Sequence, residues 1–167
     1  MWCALANRTP TWDRMHKISL EGPGWCTLFK NNKETVNHLF LNCSFTSQVW
    51  SHSQAMLNQR IDWTEQSFED AWKTWSTSPH IAHLKSLPLV HSWGIWIARN
   101  KAIFQDKESS PEAIAKHGLD IVSYFPQTKG APTVRIVTEE QIYPSMPCDY
   151  FMDPHKIIHA RVAPLFS

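Results

Sequence analysis

Apolar side chains recur every three or four residues in five stretches of the chain, the spacing that places them on one face of an α-helix. The five predicted apolar faces are Trp12, Met15 and Ile18; Phe45, Val49, Trp50, Met56 and Leu57; Phe68, Trp72 and Trp75; Trp93, Trp96, Ile97, Ile103 and Phe104; and Ile114, Ile121, Val122 and Phe125. The pattern predicts a mainly α fold, a small helical domain from Thr9 to Phe125, with an irregular loop from Cys26 to Lys33.

Residues of the N-cap type mark where these helices are predicted to begin. The predicted caps are Thr9, Thr35, Ser44, Ser67 and Ser110. The fourth of them forms a capping-box pattern with Asp70. Gly22-Pro23-Gly24 is expected to stop the first helix. Pro79 and Pro88 bracket a polar linker, and a helix is predicted from Leu89 onward.

The sequence changes character after Phe125. Six of the eleven prolines fall in residues 126–167, at Pro126, Pro132, Pro144, Pro147, Pro154 and Pro164. Residues 133–138 are rich in β-branched side chains, but a single strand without a partner is not stable. The pattern predicts a proline-rich, largely unstructured C-terminal tail.

Composition narrows the class of protein. With 167 residues, 43% hydrophobic and 19% charged, the chain is long enough for one globular domain plus a tail. Many of the nine Trp residues are expected at the edge of a core or in an interface, because the indole N–H needs a partner. A net charge of +1 excludes a strong sequence-independent grip on nucleic acid.

Neither a membrane span nor a secreted protein is expected. The most apolar stretch, residues 87–104, contains His91, Arg99, Asn100 and Lys101, and is too short and too charged to cross a bilayer. The first residues lack the basic start and apolar run of a signal peptide. An intracellular, reducing environment is the simpler interpretation, with nucleus and cytoplasm left undecided, and it favours metal binding or burial of the cysteines over disulfides.

No complete enzyme active site is visible. The chain has no Gly-x-Ser-x-Gly motif and no glycine-rich phosphate loop. His155 and His159 have the spacing of two ligands on a helix, but lack the glutamate that follows the first histidine in metalloproteases. His80 and His83 lie between two prolines and are predicted at the surface. The expectation is that the protein is not an enzyme.

Three residues carry candidate metal chemistry. Cys26, His38 and Cys43 form the pattern Cys-x11-His-x4-Cys. Zinc takes thiolate and imidazole ligands tetrahedrally, and a structural site needs four of them. The alternative is that both cysteines are small buried apolar residues and that His38 packs or caps.

The flanking residues agree with one known family. They are Asn7-Arg8, Pro10-Thr11, Asp13-Arg14, Cys26, Glu34-Thr35, His38-Leu39-Phe40, Cys43 and Trp50. Together they resemble the zinc-binding domain that follows the reverse transcriptase in plant-type non-LTR retroelement polyproteins (zf-RVT). Ile95-Trp96, Ala98-Arg99-Asn100 and Ile103-Phe104 resemble the tryptophan-rich helix that follows in such polyproteins.

The chain departs from the family pattern at one ligand. The family has a second cysteine three residues after the first, where this chain has Phe29, which cannot coordinate a metal. The resemblance therefore implies weak zinc binding or none, unless Cys3 substitutes. The N-terminal part of the family domain and the upstream reverse transcriptase are expected to be missing.

The resemblance implies a domain plan and a function. Residues 1–60 would be a zinc-binding-like domain with a zinc-knuckle-like loop, 61–125 a tryptophan-rich helical extension, and 126–167 a linker or tail, with a vestige of an RNase H start near Asp153. The implied function is a non-catalytic module that assists binding of RNA or DNA, weakly here. The alternative is a decayed helical remnant or protein-interaction scaffold without metal. The oligomeric state is left open.

Overall fold

The structure, a computed structural model, describes residues 2–5 and 8–124 of the chain. Its α-helices are α1 (Trp2–Leu5), α2 (Trp12–Lys17), α3 (Ser44–Leu57), α4 (Phe68–Thr77), α5 (Leu87–Phe104) and α6 (Pro111–Tyr124). A π-helical turn (His38–Asn42) precedes α3, and a 3₁₀ helix (Pro79–Leu84) follows α4. Within the described residues no β-strand is present, which confirms the predicted mainly α fold.

Three of the five predicted caps make the expected hydrogen bonds. The Ser67 hydroxyl accepts from the Asp70 backbone N–H at 3.1 Å and begins α4. The Thr35 hydroxyl accepts from the His38 N–H at 3.0 Å, and the Ser110 hydroxyl accepts from the Ala113 N–H at 3.3 Å. Local side-chain chemistry therefore sets the starts of these elements.

The other predicted starts are displaced by one or two residues. Thr9 is not the cap of α2, because Thr11 occupies that position. Ser44 is the first residue of α3, and Cys43 holds the cap position. The helix expected from Leu89 begins at Leu87, since proline is tolerated in a first helical turn, where its missing N–H has no intrahelical partner. The linker expected before it is partly the 3₁₀ helix.

Two residues expected on apolar faces are exposed. Ile18 lies just beyond the end of α2 and is 48% exposed, because the backbone turns at Ser19, where φ is 61°. Met56, in the last turn of α3, is 44% exposed. Periodicity assigned both correctly to a helix or its edge, but could not show where the neighbouring elements stop covering that face.

The core is built around stacked and tilted aromatic rings. Trp50 of α3 stacks on Trp63 with ring centroids 4.9 Å apart, and Trp75 of α4 lies 5.5 Å from Trp50. The Trp63 indole N–H donates to the Phe40 carbonyl at 3.1 Å, and that of Trp75 donates to the Leu84 carbonyl at 3.3 Å. These tryptophans are buried rather than marginal because carbonyls lie within reach of their N–H groups.

Residues on both sides of position 60 share this core. The end of the zinc-binding-like segment at residue 60 stays a prediction. Within residues 8–124, one hydrophobic core spans that boundary. The predicted tail and the strand considered at residues 133–138 lie outside the described residues. None of the described helices is long and apolar enough to cross a membrane.

His91 of α5 joins three helices. Its Nε2 lies 2.7 Å from the Ser53 hydroxyl of α3, and that hydroxyl donates to the Val49 carbonyl. The Ser53 hydroxyl and the His91 imidazole thus share a buried hydrogen bond. Gly118 of α6 lies against the ring, where a Cβ would sit 2.4 Å from Nδ1, so only glycine fits there. The buried face of α5 carries His91 with Leu87, Ile95 and Ala98. The face predicted from the sequence was therefore wrong for α5, because Trp93, Trp96, Ile97, Ile103 and Phe104 are only half-buried.

A buried ion pair ties the N-terminal segment to α5. Arg99 Nη2 donates to Glu34 Oε1 at 2.7 Å, and the Trp12 backbone N–H donates to the same oxygen at 3.0 Å. Arg99 also donates to the Pro10 carbonyl at 3.2 Å. Its guanidinium lies over the rings of Trp12 and Trp96, at 5.6 and 4.9 Å from their centroids. Both charges are paired and desolvated, so removing one leaves the other uncompensated.

The burial of His91 predicts a pH-dependent stability. Burial lowers the pKa of His91 from 6.5 to about 4. The unfolded state therefore binds more protons than the folded state between these values, and stability falls as the pH drops through that window. We expect the free energy of unfolding to keep its full value above pH 6.5 and to fall by roughly 3 kcal/mol by pH 4. Urea unfolding across this range should show a shallower pH dependence for His91→Gln than for the native sequence. Equal slopes would contradict this assignment.

The ion pair predicts a large loss of stability on breaking it. Arg99→Met keeps the apolar stem but leaves the Glu34 carboxylate buried and unpaired, which should lower the free energy of unfolding by about 3–5 kcal/mol. The matched control is Lys73→Met, which breaks the exposed Glu69–Lys73 pair and should leave the urea midpoint unchanged, because water screens exposed pairs. Similar midpoint shifts for the two variants would show that Arg99 has no special role.

Candidate metal centre

The segment from Trp25 to Lys33 is a short closed loop. Trp25 and Lys33 form an isolated antiparallel β-bridge at its base. The Cys26 N–H donates to the Asn32 carbonyl at 2.7 Å, and the Lys30 N–H donates to the Cys26 carbonyl at 2.6 Å. Lys30 adopts a left-handed conformation, with φ of 55°, to reverse the chain. The irregular loop predicted from Cys26 to Lys33 is confirmed.

This loop turns backbone N–H groups toward the Cys26 sulfur. The hydrogen bond with Cys43 and burial raise the pKa of Cys26, and the backbone N–H groups of Phe29 and Leu28 oppose that rise. Such donors stabilise a thiolate, the form that binds a metal. The backbone therefore has the shape expected of a metal-binding knuckle even though position 29 carries no thiol.

The other two candidate ligands come from one π-helical turn. The Cys43 N–H donates to the His38 carbonyl at 2.7 Å, a bond between residues five apart. In a regular α-helix, residues five apart lie about 140° apart around the axis. The wider turn brings His38 and Cys43 back toward the same side. Cys43 then caps α3, where the backbone N–H groups of Phe45 and Thr46 lower its pKa.

The three side chains converge in the interior. The Cys26 and Cys43 sulfur atoms are 3.7 Å apart. All three ligand atoms lie within 4.8 Å of one another. Two sulfurs bound at about 2.3 Å to a tetrahedral zinc ion would lie about 3.8 Å apart, and a sulfur and a nitrogen about 3.6 Å apart. The thiol pair already has the required separation, and the imidazole needs to move by about 1 Å or less.

An unpartnered buried nitrogen supports the same fit. His38 is buried, and its Nε2 has no hydrogen-bond partner among the described residues. A buried polar atom without a partner is costly, so it calls for an explanation such as an ion. A bound zinc ion would accept the lone pair of a neutral imidazole. Cys26, His38 and Cys43 are thus the residues that would hold zinc in this chain.

The arrangement of the two thiols favours the loss of one proton. The hydrogen bond from the Cys26 thiol stabilises the Cys43 thiolate and, with the helix N–H groups, lowers the pKa of Cys43 to about 7 despite burial. The same bond raises the pKa of Cys26. Loss of a second proton is opposed by burial and by the first negative charge. A divalent cation supplies the positive charge that makes two adjacent buried thiolates stable.

A fourth protein ligand is not found near these three within the described side chains. Phe29 lies in the loop at the family's second cysteine position, and its side chain is 44% exposed. The side chain of Cys3 is not among those described, so the substitution considered from the sequence stays a prediction. Zinc at this centre would complete its coordination with water or another small ligand.

Two charged residues close to the centre were not predicted from the sequence. Glu34 lies close enough to raise the pKa of Cys43 through its negative charge. Arg99 neutralises that carboxylate from α5. The sequence contains Glu34 between Lys33 and Thr35, and Arg99 between Ala98 and Asn100, and neither pattern indicates burial. Periodicity alone could not pair two residues 65 positions apart.

The remaining candidates are separate from this centre. His83 is exposed on the 3₁₀ helix, as expected from the sequence. The side chain of His80, and all of His155, His159 and Asp153, lie outside the described parts of the chain. Their predicted lack of a role stays a prediction.

The residues of the centre lie in a segment that matches a known protein family. Residues 1–50 match the family model described as zinc-binding in reverse transcriptase (zf-RVT). No curated protein and no solved structure matches the chain. The match contains all three candidate ligands, and it does not reach the tryptophan-rich segment, whose resemblance stays a prediction. The N-terminal 50 residues of this chain are therefore similar to the zinc-binding domain associated with reverse transcriptase.

Proposed function

We propose that this chain is a non-catalytic module derived from a retroelement reverse transcriptase, which binds zinc weakly at Cys26, His38 and Cys43 and contacts nucleic acid. The observation that carries the proposal is the convergence of two buried thiols and a buried, unpartnered imidazole inside a segment that matches the zinc-binding family. Both thiols are free at 3.7 Å separation, which supports a reducing, intracellular setting.

Three protein ligands make the expected affinity low. Structural zinc sites in small domains contribute about 10–16 kcal/mol of apparent binding free energy at neutral pH, mostly through four bonds to protein. Replacing one thiolate by water removes a charged ligand and leaves a site that exchanges more readily. The preorganised loop and the thiol pair favour binding, while the missing ligand at position 29 opposes it.

The donor set also supports a non-catalytic role. Two thiolates and an imidazole suit zinc, whereas the magnesium ions of nucleases and polymerases need clustered carboxylates. Zinc bound by three protein ligands and water can be catalytic in some proteins. Here the ligands are almost fully buried, and a substrate would have to displace core side chains to reach the ion.

A second candidate function is a helical interaction module without metal. One observation favours it: the fold is held by contacts that need no ion. The aromatic cluster around Trp50, the His91 junction and the Glu34–Arg99 pair connect α2 to α6 independently of the cysteines. The two candidates differ in whether the native chain retains zinc, and in whether chelation changes its stability.

The missing ligand predicts a gain of zinc affinity on restoring it. Phe29→Cys should raise zinc affinity by about two powers of ten or more, because one added thiolate restores roughly a quarter of a structural site's binding free energy. Cys43→Ser in that background should abolish the gain. Competition with a chromophoric chelator gives the affinity, and native mass spectrometry gives the zinc content per chain.

Asn31→Cys is the matched control for this experiment. It adds a thiol to the same loop at an exposed position that is out of register with the Cys-x2-Cys pattern, so its zinc affinity should equal that of the native chain. Equal gains for the two variants would contradict the assigned role of position 29. One equivalent of zinc retained by the native chain through dialysis against a mild chelator would show that a fourth ligand exists elsewhere.

The non-catalytic proposal predicts no cleavage of nucleic acid. Purified protein incubated with labelled RNA and magnesium should leave the RNA intact, because a two-metal mechanism needs a set of carboxylates around both ions. Addition of zinc should change nothing. Magnesium-dependent cleavage that disappears in Asp153→Asn would overturn the proposal and would restore the RNase H interpretation of the tail.

A further inference from the structure

The outer surface of the metal-binding loop combines exposed aromatic rings and exposed cations. This surface, the loop face, consists of Trp25, Phe29, Lys30, Asn31, Asn32 and Lys33, and all six residues are exposed. Trp25 is 51% exposed, whereas every other tryptophan with a described side chain is buried or half-buried. The other tryptophan and phenylalanine side chains that the structure describes are buried or half-buried, so an exposed indole and an exposed phenyl ring in one nine-residue loop are unusual.

The loop face is rigid on the inside and accessible on the outside. The bridge from Trp25 to Lys33 closes its base, the Cys26 N–H donates to the Asn32 carbonyl, and the Lys30 N–H donates to the Cys26 carbonyl. The loop is therefore ordered when the chain folds, so that its conformational entropy is lost on folding and not on binding a partner. The two rings are presented from a fixed backbone.

Charge selects the kind of partner. Neither Lys30 nor Lys33 has an ion-pair partner in the described part of the chain. The nearest acidic residue in sequence, Glu34, is fully buried and neutralised by Arg99. The loop face thus carries two lysines that make no ion pair among the described residues, and its amides, Asn31 and Asn32, add donors and acceptors. Aromatic rings interleaved with cations are the surface that single strands recognise, through base stacking and phosphate contact.

We propose that the loop face binds single-stranded nucleic acid, with bases stacking on Trp25 and Phe29 and with phosphates next to Lys30 and Lys33. This inference rests on the nucleic-acid contact in the proposed function and assigns it a place and a strand type. Bases inside a duplex have both faces covered and cannot stack on a protein ring. Two lysines are also too few to hold a duplex by charge alone.

The assignment gives Phe29 two opposite effects. It removes a thiolate from the metal centre, and it adds a ring to the loop face next to Lys30. Contact with a single strand would then be independent of zinc in this chain, because the loop is closed by its own backbone hydrogen bonds. The residue at position 29 would thus make nucleic-acid contact independent of the zinc content of the chain.

The test is binding of fluorescein-labelled twelve-nucleotide oligo(U) and oligo(dT), with a twelve-base-pair duplex for comparison, by fluorescence anisotropy at low salt. The native full-length chain should prefer both single strands to the duplex. Trp25→Ala and Phe29→Ala should each weaken single-strand binding at least about fivefold, as expected for loss of one stacked base. The double variant Lys30→Ala/Lys33→Ala should reduce the slope of log affinity against log salt by about 1.4.

Two variants elsewhere on the surface serve as matched controls. Met56→Ala removes an apolar side chain with the same 44% exposure as Phe29, and Lys85→Ala removes an exposed cation outside the loop. Both should bind as the native chain does, and circular dichroism should show unchanged helix content in every variant. Binding measured with added zinc and with a chelator should agree.

The outcomes separate the two proposals. Absence of binding to all three probes would overturn both the nucleic-acid part of the proposed function and the loop face. Binding that persists unchanged in the loop variants, or that favours the duplex, would overturn the loop face alone. If sedimentation shows a dimer of the native chain that Trp25→Ala converts to monomer, the rings serve contact between copies, and the inference is wrong.

Discussion

The buried pair of Glu34 and Arg99 is the contact on which the arrangement of the chain depends. A single carboxylate, that of Glu34, joins three parts of the chain. They are the start of α2, the residues that follow the loop from Trp25 to Lys33, and α5. Two indole rings cover the guanidinium and exclude water. The attraction is strong because it is dry, and for the same reason neither charge is tolerated alone.

Much of the helical architecture was accessible from the sequence because it is locally encoded. Capping by Ser67 and by Ser110 involves residues three positions away. Cap positions failed where a neighbour competed: Thr11 displaced Thr9, and Cys43 displaced Ser44. What the sequence could not reveal depends on distant contacts, such as the junction of His91 with Ser53 and Gly118, or the exposure of Met56 at the end of α3.

The candidate centre was predictable for a different reason. Its three residues are close in sequence, and the loop and turn that position them are short. The geometry adds what spacing does not contain: the thiols touch, the imidazole nitrogen lacks a partner, and the ligands are buried under a core that stands without them. The aromatic cluster around Trp50 and the Glu34–Arg99 pair contain no metal ligand, so the helical body has stabilising contacts besides the centre, which small zinc fingers that unfold without their ion lack.

The π-helical turn between His38 and Cys43 has an evolutionary consequence. Its residues can change identity with moderate cost, because Leu39, Phe40 and Leu41 only need to be apolar and buried. Their number cannot change. Deleting one residue would let the turn relax to an ordinary α-helix, which propagates easily, and would rotate the imidazole away from both sulfurs. A change of length in this segment would therefore indicate loss of the site more clearly than a substitution at any position inside it.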